Sequence, residues 1–387
     1  MRLSIISLLI INFFAVADSG LKLALEESLD ELMPKVIEWR HDIHQHPELA
    51  NREFRTSKKV ADHLISLGLE VETGVAYTGV VALIEGGSPG PTVAVRADMD
   101  ALPVTEQTGL PFASTVRTTY LGNDVGVMHA CGHDAHVSIL MGVAEFLVKN
   151  KDKLKGNVLL IFQPAEEGPP EDEGGGAKMM LEEGIFERYN PEAIFGLHVT
   201  NMPNGYIAIK PGPALAAASA YRITIKGVQT HGSTPWSGID PIMATSQLIE
   251  ALNTIVSRRI NIINNPAVVS VGMVDAGTRN NIIPDEAMLM GTIRTYDPEL
   301  RKEIYEEIEQ IARGIAVGTG TEVKVEFDVG GFYPVTVNDK DLTAKLQSSL
   351  MEASQGKFVL LEAPATGAED FSYFSREIPG VFFWLGV

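Results

Sequence analysis

The chain has 387 residues, of which 45% are hydrophobic, so it is long enough to form two or three domains with sizeable cores. Its 50 acidic and 31 basic side chains give a net charge of −19 at pH 7. A surface this acidic repels phosphate backbones, which argues against a nucleic-acid-binding protein.

Residues 1–17 have the three parts of a cleavable secretory signal peptide. Arg2 supplies a positive charge, residues 3–14 are nearly all apolar, and Ala15-Val16-Ala17 matches a small-residue cleavage site. The apolar run is short for a bilayer span. We therefore expect a secreted or exported protein without stable membrane insertion. A retained N-terminal anchor or a buried helix is the alternative.

The sequence pattern of residues 18–213 predicts the first part of an α/β domain. Apolar residues recur at helical spacing up to the break at His46-Pro47-Glu48, and a second helix is predicted up to Gly68. Runs rich in valine and isoleucine predict buried strands at 80–84, 92–96, 157–162 and 193–198, with an apolar helix at 137–148. Polar residues follow these strands repeatedly, and open α/β sheets bind ligands at the carboxyl ends of their strands.

The pattern changes near residue 214. Predicted strands at 221–226, 267–274 and 287–295 alternate with helices at 241–255 and 298–316, an order typical of a small β-α-β-β-α-β domain. We assign 214–327 to this insert. Residues 328–387 then return to the first domain with a helix at 342–352 and a strand at 381–385. The predicted fold is α/β, with a large domain interrupted by a smaller α+β insert.

Cys131 is the only cysteine, and it lies within the segment Met128-His-Ala-Cys-Gly-His-Asp134. A single cysteine forms no intrachain disulfide, so it is a buried apolar residue, a nucleophile or a metal ligand. The histidines around it, with His133 two residues away, favour a metal ligand.

Two further polar features accompany predicted strands. Glu166 and Glu167 follow the strand at 157–162, and His198 ends the strand at 193–198. Thiolate, imidazole and carboxylate are ligands of zinc and similar divalent ions. One glutamate of the pair can bind metal while its neighbour acts as a general base on water. Each feature is weak alone, since most Glu-Glu pairs are solvated surface and most strand histidines belong to the core.

Five motifs in this order resemble the amidohydrolase branch of the M20 metallopeptidase family, which includes N-acyl-amino-acid amidohydrolases, hippurate and auxin-conjugate hydrolases and some carboxypeptidases. The resemblance extends from about residue 30 to the end. The motifs are Trp39-Arg-His-Asp-Ile-His-Gln-His-Pro-Glu-Leu49, Arg96-Ala-Asp-Met-Asp-Ala-Leu-Pro103, His129-Ala-Cys-Gly-His-Asp134, Gln163-Pro-Ala-Glu-Glu-Gly168 and Gly196-Leu-His198.

The resemblance implies a phosphorylase/hydrolase-like α/β catalytic domain with an inserted ferredoxin-like lid domain and two divalent metal ions, Zn, Mn or Co. Glu166 would be the general base, and Asp100 would orient a ligand. Asp98 and the histidines of the first motif, His44 and His46, are expected to support the fold. The implied metal ligands are Cys131, His133, Glu167 and His198.

The insert matches the same family. Gln229-Thr-His-Gly-Ser-Thr-Pro235 resembles its histidine loop, so the resemblance implies that His231 contacts the substrate or its oxyanion across a homodimer formed through the lid domain. A turn histidine is the alternative. Asn281 and Arg294 match residues that hold the substrate carboxylate, for which a guanidinium fork is well suited.

The family's last metal ligand is a histidine beyond the final Trp-Leu-Gly strand, whereas this chain ends at Val387 after Phe383-Trp384-Leu385-Gly386. We therefore expect a C-terminally truncated sequence that binds metal poorly, or a protein with one weakened metal site. Glu369 and Asp370 are neighbours that could approach the site.

The favoured function is metal-dependent hydrolysis of N-acyl amino acids, with Glu166 activating water. A carboxypeptidase or dipeptidase acting on short peptides is the first alternative, and a non-catalytic homologue is the second. A cysteine hydrolase using Cys131 is the least favoured, and resistance to chelators would distinguish it.

Overall fold

A computed structural model describes residues 19–170, 173–263 and 265–387, so the predicted signal peptide lies outside the described residues. The chain divides into two compact units. The first comprises the described residues up to Ala214 together with Thr336–Pro364 and Asp370–Val387, and the second comprises Leu215–Val335 and Ala365–Glu369. Within the described ranges, no helix combines the length and apolar character needed to cross a bilayer.

The first unit contains a mixed sheet of eight strands. Its strands and short ribbons, numbered along the whole chain, are β1 (Val71–Val75), β2 (Gly79–Glu85), β3 (Ser88–Asp98), β4 (Arg117–Tyr120), β5 (Asn123–Gly126), β6 (Lys155–Gln163), β7 (Ala193–Thr200), β8 (Ile207–Ile209), β9 (Gly212–Leu215), β16 (Thr336–Asn338), β17 (Phe358–Leu360) and β18 (Gly380–Gly386). The order in the sheet is β1-β2-β6-β3-β7-β18-β8-β17. Strands β6, β3, β7 and β18 run parallel, so their carboxyl ends lie along one edge.

Helices flank this sheet and bury most of the apolar positions that the sequence spacing predicted, although Ile37 of the first helix is exposed. The first helix has Leu25, Leu29, Leu32 and Val36 in the core, and the third is buried along most of its length. The four central strands are Val-, Leu- and Phe-rich because both of their faces are covered. The helices are α1 (Ser19–Gln45), α2 (Phe54–Ser66), α3 (His133–Lys149), α4 (Gly176–Glu182), α5 (Ile185–Tyr189), α8 (Lys340–Ala353) and α9 (Phe371–Glu377).

The second unit is a four-stranded antiparallel sheet with two helices. Its strands are β10 (Ala217–Lys226), β12 (Ala267–Ala276), β14 (Glu286–Thr295) and β15 (Glu322–Tyr333), in the order β12-β14-β10-β15, with a short ribbon of β11 (Thr230–His231) and β13 (Ile282–Ile283). Its helices are α6 (Pro241–Leu252) and α7 (Pro298–Thr319). The chain order is β-α-β-β-α-β, and the predicted α/β fold with an α+β insert is confirmed.

Both α-helices of the second unit, α6 and α7, begin at the same sequence signal. Asp240 and Asp297 accept hydrogen bonds from backbone N–H groups of the first turn, and a proline follows each of them. Strand β15 was not predicted from the sequence, although Val323, Val325 and Phe327 alternate with polar residues as in a strand. The predicted limit of the insert at residue 327 falls within this strand, and the unit continues to Val335.

Candidate metal centre

The parallel strands bring polar side chains to one edge of the large sheet. Strand β3 ends at Asp98, with Asp100 just beyond it, and β6 ends at Gln163 before the glutamate pair. His198 lies near the end of β7, and helix α3 begins at His133. The predicted residues of the first unit thus come from one β3, β6 and β7 edge and from the turn before α3.

A glycine lets the turn before α3 approach β7. Gly132 has φ +99°, in the left-handed region that favours glycine, and a Cβ built there would lie 2.3 Å from Val199 Cγ2. Cys131 and His133 flank this glycine, and Cys131 Sγ lies 3.2 Å from His198 Nε2. The Cys-Gly-His spacing is therefore needed to bring the thiol beside the histidine of β7.

The imidazole of His133 lies at the centre of the cluster. Its Nε2 atom is 3.7 Å from Asp98 Oδ2, 3.8 Å from Glu166 Oε2 and 4.0 Å from Glu167 Oε1. These ligand atoms form overlapping groups in which all members lie within 4.8 Å of one another. The structure therefore places Cys131, His133, Glu166, Glu167 and His198 together.

Asp100 holds the glutamate pair in place. Its Oδ1 accepts a hydrogen bond from the Glu166 N–H at 3.0 Å, and its Oδ2 accepts one from the Glu167 N–H at 2.9 Å. The same Oδ1 lies 3.3 Å from His133 Nδ1, which leaves Nε2 of that ring towards the glutamates. Ala165, before the pair, has φ +52°, so this turn is strained and depends on such contacts.

A buried arginine beneath the cluster was not identified as a site residue from the sequence. Arg96 donates to Asp98 Oδ2 at 2.7 Å, to Gln163 Oε1 at 2.7 Å and to Asp370 Oδ1 at 3.0 Å. The backbone N–H of Asp370 lies 3.4 Å from Glu166 Oε1. The signal in the sequence was a charged residue inside a buried strand, which is costly unless it is paired. Asp370 thus supports the cluster through its contacts with Arg96 and Glu166.

His136 lies close to the cluster but uses both ring nitrogens elsewhere. Its Nδ1 lies 2.5 Å from Asp98 Oδ1, and its Nε2 accepts a hydrogen bond from the Val199 N–H at 2.9 Å. The proton must then be on Nδ1, because Nε2 acts as an acceptor. His136 therefore joins β3 to β7 rather than presenting a free nitrogen to an ion.

Burial sets the protonation of the cluster. It raises the pKa of the Cys131 thiol to about 11 and raises the pKa of Glu167, while it lowers the pKa of His198 to about 3. Burial also lowers the pKa of His133, but the carboxylates of Asp98 and Asp100 outweigh it and raise that pKa well above its usual range. Protons held by a thiol and carboxyls are those that a bound cation displaces.

The residues present fit a divalent metal ion. His133 Nε2 is fully buried and has no hydrogen-bond partner among the described residues, an unusual state for an imidazole nitrogen. The carboxylate oxygens around it are too distant for a hydrogen bond, but ligands of one ion with bonds of about 2 Å lie about 3–4 Å apart. The sulfur, nitrogen and oxygen donor set suits zinc or a similar ion.

The other predicted residues belong to the second unit and form their own arrangement. His231 on β11 is exposed, its Nδ1 accepts a hydrogen bond from the Ser233 N–H at 3.0 Å, and the following Gly232 N–H donates to Asn281 O at 2.8 Å. Arg294 on β14 is partly buried, which lowers its pKa. The ribbon of β11 and β13 thus brings the His231 and Asn281 segments together.

Comparison with known proteins matches this chain to a family model described as Peptidase family M20/M25/M40, over residues 94–387. A thermostable carboxypeptidase 1 of Saccharolobus solfataricus is 43% identical, covering 94% of this chain and 88% of that protein. An N-acetylcysteine deacetylase of Bacillus subtilis is 40% identical, covering 91% of this chain and 88% of that protein.

A solved structure is also similar. It is the Bacillus subtilis YXEP protein, described as a dinuclear metal-binding peptidase from the M20 family, with a TM-score of 0.74 and 37% identity. The match covers 92% of this chain and 89% of that one. The resemblance that the sequence motifs indicated is confirmed.

Proposed function

The chain belongs to the peptidase family M20/M25/M40, and we propose that this metal-dependent hydrolase cleaves the amide bond of N-acyl amino acids. The observation that supports the proposal best is the buried Glu166 carboxylate beside His133 and Glu167, within a donor set that fits divalent ions. An N-acetylcysteine deacetylase among the relatives acts on this class of substrate by name.

The metal ions would be held by Cys131, His133, Glu167 and His198, and two ions of Zn, Mn or Co are proposed. When bound, they supply Lewis acidity at the scissile carbonyl and lower the pKa of water. The metal-binding description of the YXEP structure supports this stoichiometry.

Glu166 is the proposed general base. Its side chain is only 6% exposed, and its Oε1 lies 3.4 Å from the Asp370 N–H, so Oε2 is the oxygen turned towards His133. The carboxylate would take a proton from the attacking water and return it to the departing amine nitrogen. Asp100 contributes by fixing the backbone of the Glu166-Glu167 pair.

Residues of the second unit are proposed to act on the substrate. We assign oxyanion stabilisation to His231 and binding of the free α-carboxylate to Asn281 and Arg294, because an arginine fork matches a carboxylate. Replacing Arg294 with Lys is then expected to raise KM for substrates with a free carboxylate much more than for the corresponding methyl esters.

Glu166→Gln tests the proposal. It keeps the shape of the side chain but removes the base, so turnover of acetyl- and benzoyl-amino acids should fall by about 10²–10⁴-fold. The metal content, measured by mass spectrometry, should be unchanged. Glu187→Gln, which changes an exposed glutamate, is the matched control. Substantial turnover in Glu166→Gln would refute the assignment.

Hydrolysis of short peptides is the second candidate. It is favoured by the thermostable carboxypeptidase relative, whose identity is slightly higher than that of the deacetylase. The chemistry is shared and only the pocket for the acyl group differs. A comparison of kcat/KM for dipeptides with that for acetyl-, benzoyl- and indole-acetyl amino acids would distinguish the two candidates.

We also propose a homodimer formed through the second unit. Among the described residues, strand β12 pairs only with β14, and it exposes Val268, Met273 and Val274. An edge strand with exposed apolar side chains can pair with another chain. Light scattering should give the mass of a dimer for the wild type, and Met273→Lys should shift the measured mass towards that of a monomer. A monomeric wild-type protein would contradict the proposal.

Export is proposed from residues 1–17. The mature N-terminus found in the culture medium or periplasm should then lie close to residue 18, and an uncleaved product retained in the cytoplasm would contradict it.

A further inference from the structure

His44 has a carboxylate at each ring nitrogen. Its Nδ1 lies 3.0 Å from Asp134 Oδ2, and its Nε2 lies 3.2 Å from Glu106 Oε1. All three side chains are nearly inaccessible, with 5% of His44 and 1% of each carboxylate exposed. This arrangement lies outside the group of predicted metal ligands.

The chemistry of the ring decides its charge. A carboxylate only accepts hydrogen bonds, so both ring nitrogens must donate, and a neutral imidazole has a single N–H. Both contacts can therefore be hydrogen bonds only when the ring is an imidazolium. A neutral ring would leave one buried carboxylate oxygen facing a nitrogen lone pair, which is unfavourable.

The charges around the ring balance in the same way. Arg40 Nε lies 3.1 Å from the Asp134 oxygen that also meets His44, so two cations face two carboxylates. The nearby His129 adds no charge, because burial lowers its pKa to about 4. The ring of Phe112 makes a T-shaped contact with His44 and stacks on His41, with ring centroids 3.7 Å apart. Loss of the His44 proton would leave the cluster with an excess negative charge.

The three side chains join distant parts of the first unit. His44 is on α1, and Asp134 is in the first turn of α3, directly after the predicted ligand His133. Glu106 belongs to residues 103–116, which have no helix or strand and follow Asp100 along the chain. Glu106 also organises this segment, because its Oε2 accepts from the Ser114 N–H at 2.5 Å and its Oε1 from Thr108 Oγ1.

We propose that His44 is a positioning residue that acts as an imidazolium and fastens residues 103–116 to the turn that carries His133. When the ring loses its proton to solvent, the Glu106 contact is lost first, because Asp134 keeps its bonds to the remaining N–H and to Arg40. Residues 103–116 are then released, while the turn before α3 stays held.

Electrostatics supports this order. The hydrogen bond that His44 donates to Asp134 raises the pKa of His44 against the effect of burial, and Glu106 raises it further. A raised folded-state pKa means that the stabilisation is complete below about 6.5, the value for the unfolded chain. It is lost as the pH rises through the folded-state value, so the anchoring weakens on the alkaline side.

Glu106→Gln tests the proposal, because its amide N–H can donate to a neutral His44 Nε2 and the ring then needs only one proton. Histidine ring NMR on protein with labelled histidine would follow the titration, with His44→Gln assigning the signal among nine histidines. We expect imidazolium shifts at pH 7 in the wild type and a midpoint lower by about 1 pH unit or more in Glu106→Gln. Glu145→Gln, which removes an ion pair between the same two helices without a histidine, should leave the midpoint unchanged.

Amide hydrogen exchange tests whether deprotonation of His44 releases residues 103–116. Above the wild-type midpoint, amide hydrogens of residues 103–116 should exchange faster in the wild type than in Glu106→Gln, and below the midpoint the two proteins should match. A neutral His44 at pH 7, an unchanged midpoint in Glu106→Gln, or equal exchange above the midpoint would each overturn the proposal. The role of the His133 turn in binding metal rests on the proposed function, but the NMR and exchange results stand even if no substrate is cleaved.

Discussion

Replacing Asp100 with asparagine isolates the role of one carboxylate beneath the candidate metal centre. Both oxygens of Asp100 accept backbone N–H groups, from Glu166 at 3.0 Å and from Glu167 at 2.9 Å. An asparagine has one acceptor oxygen, so its NH₂ group must face one of these N–H groups. We expect the asparagine oxygen to stay beside Glu166 and His133, because it faces two nitrogen atoms there. The NH₂ group then faces the Glu167 N–H, which is left without an acceptor.

The expected magnitude follows from this single lost bond. An unpaired buried donor costs about 1–3 kcal/mol of unfolding free energy. The glutamate turn also loses its anchor at Glu167, a predicted ligand, and losing such a supporting group typically weakens metal binding by about 10–100-fold. We therefore expect a folded protein whose main defect is its affinity for metal.

Isothermal titration of the chelator-treated protein with Zn²⁺ or Mn²⁺ measures this affinity directly. Asp62→Asn is the control, because Asp62 pairs with Lys58 on the exposed face of α2 and should have no effect on metal binding. Urea unfolding of the metal-free proteins measures the stability difference separately. Metal affinity for Asp100→Asn within about twofold of the wild type, with unchanged stability, would show that Asp100 does not position the pair.

Two further substitutions probe buried charges of the first unit. Arg96→Met removes the cation shared by Asp98 and Asp370 and should lower the unfolding free energy by about 3–5 kcal/mol in urea titrations. The control Arg52→Met, at an exposed ion pair, should lower it by at most about 1 kcal/mol. Equal effects of the two substitutions would contradict the proposed role of Arg96. Burial raises the pKa of Glu53 to about 7, so metal-free protein should lose stability as the pH rises from about 4.5 through 7. Glu53→Gln should remove about 2–3 kcal/mol of that loss between pH 5 and pH 8, and an unchanged pH slope would refute the assignment.

The side chains proposed to bind metal could be predicted because their chemistry is unusual for their local surroundings. A single cysteine two residues from His133 and a glutamate pair after a buried strand are visible in the printed chain. Strand periodicity then predicts that these positions meet at one edge of a parallel sheet, and the structure brings them together there. The prediction of strands was less complete. Strand β15 alternates apolar and polar residues but was not predicted, and the predicted end of the insert falls within it.

The supporting residues could not be predicted in the same way. Glu106 and His44 are 62 positions apart, and Arg96 meets Asp370 across 274 positions. Neither pairing follows from a motif or a periodicity. The first depends on how residues 103–116 pack beside α1, and the second depends on how the start of α9 meets the sheet edge.

The sequence by itself determined the fold class, the family and the group of ligand-type side chains, because periodicity and ligand chemistry are properties of short segments. Only the tertiary structure decided which of these groups are available. His136 and His133 lie three residues apart, yet one uses both nitrogens on Asp98 and Val199 while the other turns an unpaired nitrogen towards three carboxylates. Whether an imidazole is a ligand, a structural link or a cation depends on the atoms that face its two nitrogens, and folding alone brings those atoms there.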